Sequence, residues 1–185
     1  MYRWLCPASG MIVDPFAGGS VRGIVAGWGG YQYHGIELRP EQVAANERQR
    51  DSILGPNDIV TWVTGDAADH LPNAPVADLL FTCPPYYDLE VYSDDPADLS
   101  TFPTYEQFLT AYGGILGMGV DRLDDDRFAV VVVGDMRDKR TGYMRPFVAD
   151  TIAAMQSAGA MYHQEVVIVT PAGTLPQRTG KQFET

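Results

Sequence analysis

The chain has 185 residues, is 45% hydrophobic, and sets 24 acidic against 13 basic side chains for a formal net charge of −11 at pH 7. That length suits one domain with a real core and makes two domains implausibly thin, while the acidity excludes a protein that grips phosphates over its whole surface. No run approaches the roughly 18 apolar residues of a membrane span, and the first ten residues, with Arg3, Cys6 and Pro7, lack the apolar core of a signal peptide, so a soluble cytoplasmic protein is expected.

Residues 11–16 form a short apolar run, followed by a glycine-rich turn and a stretch of small residues over 21–28, an order that predicts strand, turn and helix. Residues 31–38 read as a second strand. Pro40 then opens a helix over 40–54, with Pro at its first turn where the missing N–H costs nothing, and 59–63 read as a third strand. A fourth strand is expected over 76–82. An irregular acidic stretch over 86–104 leads to a helix over 105–123 whose apolar spacing is blurred by four glycines. Residues 128–133, a β-branched run of the kind buried on both faces, predict a fifth strand. A helix over 146–158 stopped by Gly159, and a last strand over 161–170, complete the series.

Alternating β and α elements of this length specify a doubly wound α/β domain, a mostly parallel sheet with helices on both faces. No repeat or linker divides the chain, so 1–185 reads as a single catalytic domain with a core at about 8–170 and no separate target-recognition domain. The turn-rich end after residue 170, with Pro171, Gly173, Pro176 and Gly180, gives the expectation that terminal elements are missing.

In such sheets ligands bind beyond the carboxyl ends of the strands, so the strand-to-helix turns are where chemistry belongs. After the first strand comes Asp14-Pro15-Phe16-Ala17-Gly18-Gly19-Ser20, in which Gly18 and Gly19 allow close backbone approach and Ser20 is placed to cap the next helix. Glu37 ends the second strand, 23 residues after Asp14, near the offset at which a carboxylate accepts from ribose hydroxyls. Gly65-Asp66-Ala67 ends the third, with a carboxylate suited to an adenine amino group. Together the three turns describe an adenosine-bearing cofactor. The Gly-x-Gly-x-x-Gly that a pyrophosphate needs is missing, and the remaining candidate is S-adenosylmethionine.

The fourth strand runs into Cys83-Pro84-Pro85-Tyr86-Tyr87-Asp88. Two prolines end the strand, fix the backbone and remove two donors, leaving the Cys83 and Pro84 carbonyls as acceptors with an aromatic ring behind them. A planar amine or amide needs such a platform. Asp135 to Arg140 follow the fifth strand, and Arg137, Lys139 and Arg140, with Arg145 beyond, are candidates to meet nucleic-acid phosphates, the competing reading being a solvated loop. Arg178 and Lys181 invite the same suggestion. Tyr87, Asp88, Glu90 and Tyr92 are candidates to order over a substrate. The two cysteines, Cys6 and Cys83, and the scattered His34, His70 and His163 match no disulfide or metal spacing, so no metal is expected.

The pairing of Asp14-Pro15-Phe16-Ala17-Gly18 with Cys83-Pro84-Pro85-Tyr86 resembles the DNA amino-methyltransferase family, which contains adenine-N6 and cytosine-N4 enzymes, and the whole chain is similar to phage-encoded methylases of this kind. The resemblance covers about residues 8–170. It implies a Rossmann-like class I methyltransferase fold, S-adenosylmethionine as cofactor and DNA as partner, bound in part through a region or subunit missing from this chain. It further implies that Asp14, Phe16 and Gly18, with Ala17 and Gly19 in the same turn, hold the methionine portion, Glu37 the ribose, and Asp66 with Ala67 the adenine. Pro84 then offers its carbonyl to the target amino group of a flipped base, with Cys83 and Pro85 beside it, and Tyr86 stacks on that base.

The sequence departs from the family in two places. The second glycine of the turn is shifted, giving Gly18-Gly19-Ser20, and Cys83 stands where the family carries Asp, Asn or Ser. A thiol accepts hydrogen bonds poorly, and its size is nearest Ser, which favours cytosine-N4. It is not the cysteine of a cytosine-C5 enzyme, which follows a proline rather than preceding one. Methylation of a protein glutamine or an RNA base, and a truncated domain that binds cofactor without turnover, stay open as alternatives.

Overall fold

The computed structural model describes residues 1–56 and 59–169. In chain order the elements are α1 (Tyr2–Leu5), β1 (Met11–Asp14), α2 (Val21–Trp28), β2 (Gln32–Glu37), α3 (Pro40–Leu54), β3 (Val60–Thr64), α4 (Ala67–His70), β4 (Ala77–Thr82), α5 (Tyr105–Val120), β5 (Leu123–Val131), β6 (Met136–Arg137), β7 (Met144–Arg145) and α6 (Phe147–Ser157). Five strands form one sheet in the order β3-β2-β1-β4-β5, every neighbouring pair parallel. The chain direction across the sheet reverses between β1 and β4, and ligands of open α/β sheets bind at that switch point.

Both faces are covered because side chains alternate along each strand. Ile12 and Tyr33 join Ala26, Val43 and Trp62 in a core with α1, α2 and α3. Val13, Ile36 and Leu80 face the other way, toward Leu71, Phe108, Leu116 and Phe147 of the α4, α5 and α6 side. Gly23 lets α2 lie close on this sheet: a β-carbon there would stand 2.5 Å from the Trp62 ring.

α3 has the predicted bounds because its signals are local: Pro40 at the first turn, and Gly55 at φ 76° just past the last. β5 differs from expectation at both ends and in its environment. It begins at Leu123, since a register shift between the Ala77 and Leu79 pairs recruits the acidic residues before Phe128. It is half-buried rather than buried on both faces, because among the described residues it is the sheet's edge. The strand expected over 161–170 is a second correction: residues 161–169 carry no strand, and Met161, Val167, Ile168 and Val169 are exposed. An apolar, β-branched run forms a strand only when it finds a partner edge, and among the described residues none pairs with it. The ring of His163 rests near β5, 5.4 Å from that of Phe128. The expectations for residues 170–185, Arg178 and Lys181 among them, lie outside the described residues.

The short α1 and the antiparallel β6–β7 hairpin had no sequence signature. Among the described residues no helix is long and apolar enough to cross a membrane.

Candidate active site

One cavity of about 330 Å³ opens at the carboxyl ends of β1, β2, β3 and β4. The glycine turn (Phe16, Gly18, Gly19) and the double-proline turn (Cys83, Pro84, Pro85, Tyr86) lie on its wall together, with Glu37 and Asp66. The segment after the proline motif closes it through Tyr92, Ser93, Ala97, Asp98 and Leu99.

Asp14 does not reach this wall. It is fully buried and its two oxygens are already occupied: Oδ1 accepts from the Thr82 hydroxyl at 2.7 Å and the Phe16 amide at 3.2 Å, and Oδ2 from Arg22 Nε at 2.6 Å and the Tyr33 hydroxyl at 2.8 Å. Its work is to tie β1, β2, β4 and α2 together beneath the turn. Burial, and then the Asp14 charge, push the Tyr33 phenol well up, so it stays a donor. Arg22 also donates to the Phe16 and Ala17 carbonyls at 2.5 and 2.8 Å. It lines the cavity, and the only charge in an otherwise small and apolar helix was the signal that could have found it. Ala17 is likewise buried off the wall.

Gly18 sits at φ 52°, a conformation that side chains resist. Its amide donates to Glu37 Oε2 at 2.9 Å, and its carbonyl accepts from the buried Asn46 at 2.7 Å. The turn therefore forms despite the shifted second glycine. A β-carbon on Gly19 would meet nothing within 4 Å, so the wall there is open to a ligand. Ser20 does not cap α2. Its own backbone is already helical, and its hydroxyl bonds Gln49 instead. Glu37 also receives the Arg39 amide at 3.1 Å. Asp66 caps α4 through one oxygen, at 2.9 Å from the Ala68 amide. No donor among the described residues reaches its other oxygen.

At the double-proline turn, no donor among the described residues reaches the carbonyls of Cys83 or Pro84, whereas the Thr82 carbonyl, one residue earlier, accepts from Val132 at 2.8 Å. Both carbonyls on this turn are thus free of partners among the described residues. Burial pushes the Cys83 thiol up, Arg22 opposing and Asp14 adding to the rise, so the group is a neutral thiol and not a thiolate nucleophile. Aromatic contacts join the two turns: Phe16 to Tyr112 at 6.2 Å, Tyr112 to Phe147 at 5.3 Å, and Phe147 to Tyr86 at 5.7 Å.

Tyr87 is not brought to the wall. It is buried, with its ring against Tyr105 and Phe108. The basic hairpin also lies off the cavity and is largely spoken for: Lys139 donates to the Asp88 and Leu89 carbonyls, and Arg137 to that of Gly142. Arg140 stays exposed. Arg145 pairs with Asp88 at 2.7 Å and Asp138 at 2.5 Å, its guanidinium 4.8 Å from the Tyr87 ring centre, so the hairpin clasps the loop that follows the proline motif. Among the described residues no group of three or more His, Cys, Asp or Glu is placed to hold a metal ion.

No protein-family model matches the sequence, and no curated protein matches it either. Solved structures do. A SAM-dependent methyltransferase from Agrobacterium tumefaciens matches over 85% of this chain and 48% of its own, at 13% identity and a TM-score of 0.57. The fold is that of the Rossmann-like class I methyltransferases. Magnesium protoporphyrin IX methyltransferase (ChlM) from Synechocystis, solved with bound SAM, matches over 83% of this chain and 60% of its own (14% identity, TM-score 0.52). TrmN from Thermus thermophilus matches over 67% and 33% (15% identity, TM-score 0.50). The chain thus spans between a third and three fifths of the length of these three neighbours.

Proposed function

We propose that this protein is an S-adenosylmethionine-dependent N-methyltransferase acting on the exocyclic amino group of a nucleic-acid base, with DNA as the substrate class. The observation that carries the reading is that one cavity joins the glycine turn and its flanking carboxylates to the unengaged carbonyls of Cys83 and Pro84.

The wall suits the cofactor. Gly18 and Gly19 leave room for backbone approach, Glu37 stands where ribose hydroxyls would donate, and the second Asp66 oxygen can take an adenine amino group. When bound, S-adenosylmethionine supplies an electrophilic methyl group. The chain's own residues hold and orient the acceptor. The Pro84 carbonyl accepts from the target amino group and fixes its direction, and Tyr86 offers a ring face to the base. Cys83, as a neutral thiol, adds bulk and a weak donor but no base and no covalent bond. A base inside a duplex cannot reach a recessed platform of this kind, so the target is extruded or single-stranded. Asp14 and Arg22 act from behind, holding the turn in shape.

Incubating the purified protein with methyl-labelled S-adenosylmethionine and unmethylated DNA, RNA or protein tests the reading. Label is expected in DNA, and digestion to nucleosides should release N4-methylcytosine or N6-methyladenine. Label only in RNA or protein would replace the substrate class, and cofactor binding without transfer to any of them would mark a domain without turnover.

A further inference from the structure

Among the described residues two carboxylates are deeply buried, Asp14 and Asp98. A buried carboxylate is costly unless a cation or a set of donors compensates it. Asp14 has Arg22. Asp98, 5% exposed, has no cationic partner among the described residues. Its donors are all neutral: Oδ2 accepts from the Ser93 amide and hydroxyl at 2.7 and 3.0 Å, and Oδ1 from those of Ser100 at 2.9 and 2.7 Å. It nonetheless lies on the cavity wall, on the segment that also carries Tyr92, Ser93 and Leu99.

The charge balance of that cavity is lopsided. Its two cations, Arg22 and Arg39, are already paired with Asp14 and with Glu37, which leaves Asp66 and Asp98 without a cation among the described residues. A ligand with net positive charge restores the balance, and a neutral ligand of the same shape does not. Because each Asp98 oxygen already accepts two hydrogen bonds, what Asp98 has left to offer is charge rather than lone pairs. That suits a sulfonium, a cation with no proton to donate. We infer that Asp98 is the counter-charge of the methyl donor, a specificity residue that favours the charged cofactor over its neutral demethylated product. The inference rests on the proposed cofactor and makes product release part of the site's design, since transfer of the methyl group removes the charge that Asp98 holds.

Calorimetric binding of three ligands tests it: S-adenosylmethionine (net cation), sinefungin (net cation with an amine in place of the sulfonium) and S-adenosylhomocysteine (neutral). Asp98→Asn is expected to weaken both cations about tenfold and the neutral ligand less than about twofold, the size of one charge interaction across a partly screened cavity. The Ser93→Ala, Ser100→Ala double variant loosens the same loop but keeps the charge, and should weaken all three ligands alike. Equal weakening of all three by Asp98→Asn, or no weakening, overturns the inference and leaves the cofactor reading intact. Should Asp98→Asn fail to fold, the wild-type preference and Asp66→Asn decide: tighter binding of both cations than of the neutral ligand, kept in Asp66→Asn, supports the inference, and equal or weaker binding, or a preference lost in Asp66→Asn, overturns it. Failure of the wild-type protein to bind any of the three removes the cofactor reading and the inference with it.

Discussion

Beneath the glycine turn, Asp14 is ringed by an arginine, a tyrosine, a threonine and a backbone amide that come from α2, β2, β4 and the turn itself, whereas Asp98, on the cavity-lining segment after the proline motif, is ringed by two serines of its own loop. The first network crosses the sheet and spans 68 residues of sequence; the second closes within seven. A carboxylate held from several elements is part of the fold. A carboxylate held only by its neighbours leaves the fold alone and shapes what sits in front of it. One wall of the cavity is therefore built for rigidity and the other for charge.

Removing each carboxylate should separate the two roles. Asp14→Ala leaves the Arg22 guanidinium and two buried hydroxyls without their partner, and loss of one member of a buried pair costs about 3–5 kcal/mol. Denaturant unfolding followed by circular dichroism should show that loss, together with loss of ligand binding. Asp98→Asn, which keeps the side chain's size, should lose no more than about 1–2 kcal/mol in the same assay. Equal losses in the two variants would erase the distinction between the walls.

A third network, around Arg145, sharpens the contrast, because it holds the loop after the proline motif without touching the cofactor side. Its guanidinium joins Asp88 to Asp138 and covers the Tyr87 and Tyr105 rings at 4.8 and 5.3 Å. If the proposed nucleic-acid substrate is right, Arg145→Ala should raise its KM about tenfold, the worth of one partly buried charged contact. The dissociation constant for S-adenosylhomocysteine should move by less than about twofold. Lysine at this position restores the charge but not the two-pronged geometry, so rescue should be partial. A cofactor affinity that falls as far as KM rises would place the clasp in the cofactor half instead.

These networks also mark where sequence reading stops. The succession of strands and helices along the chain and the helix at Pro40–Leu54 were legible because their causes are local: alternation of apolar runs, a proline at one end, a glycine at the other. The two motifs were legible as turns, and the sheet brings them to one cavity. Asp14 was read as a ligand contact because its sequence shows a carboxylate at a strand end and hides the partners that fill its oxygens, 8, 19 and 68 residues away. Asp98 drew no attention within an acidic stretch, since burial, not composition, separates it from the exposed Asp94 and Asp95. The strand expected over 161–170 had the right composition, but pairing is a property of two edges, and one sequence run reveals only its own.

Cys83 also lines the cavity and offers the mildest test of the comparison. Burial holds its thiol above the ordinary range. Arg22 opposes that rise and Asp14 adds to it, so the rigid wall sets the thiol's charge state from both directions. The second cysteine, Cys6, is pushed up to about 11 by burial and then by Asp78, and it lies outside the cavity. Alkylation by iodoacetamide requires the thiolate, so both should react slowly at pH 7 and faster as pH rises, each lagging an unperturbed thiol across the alkaline range. Peptide mapping should show Cys83, the more exposed of the two, reacting ahead of Cys6. Saturating S-adenosylhomocysteine should slow Cys83 alone. Protection of both cysteines would mean that the ligand acts by tightening the whole fold, and protection of neither would move the ligand away from the Cys83 end of the cavity.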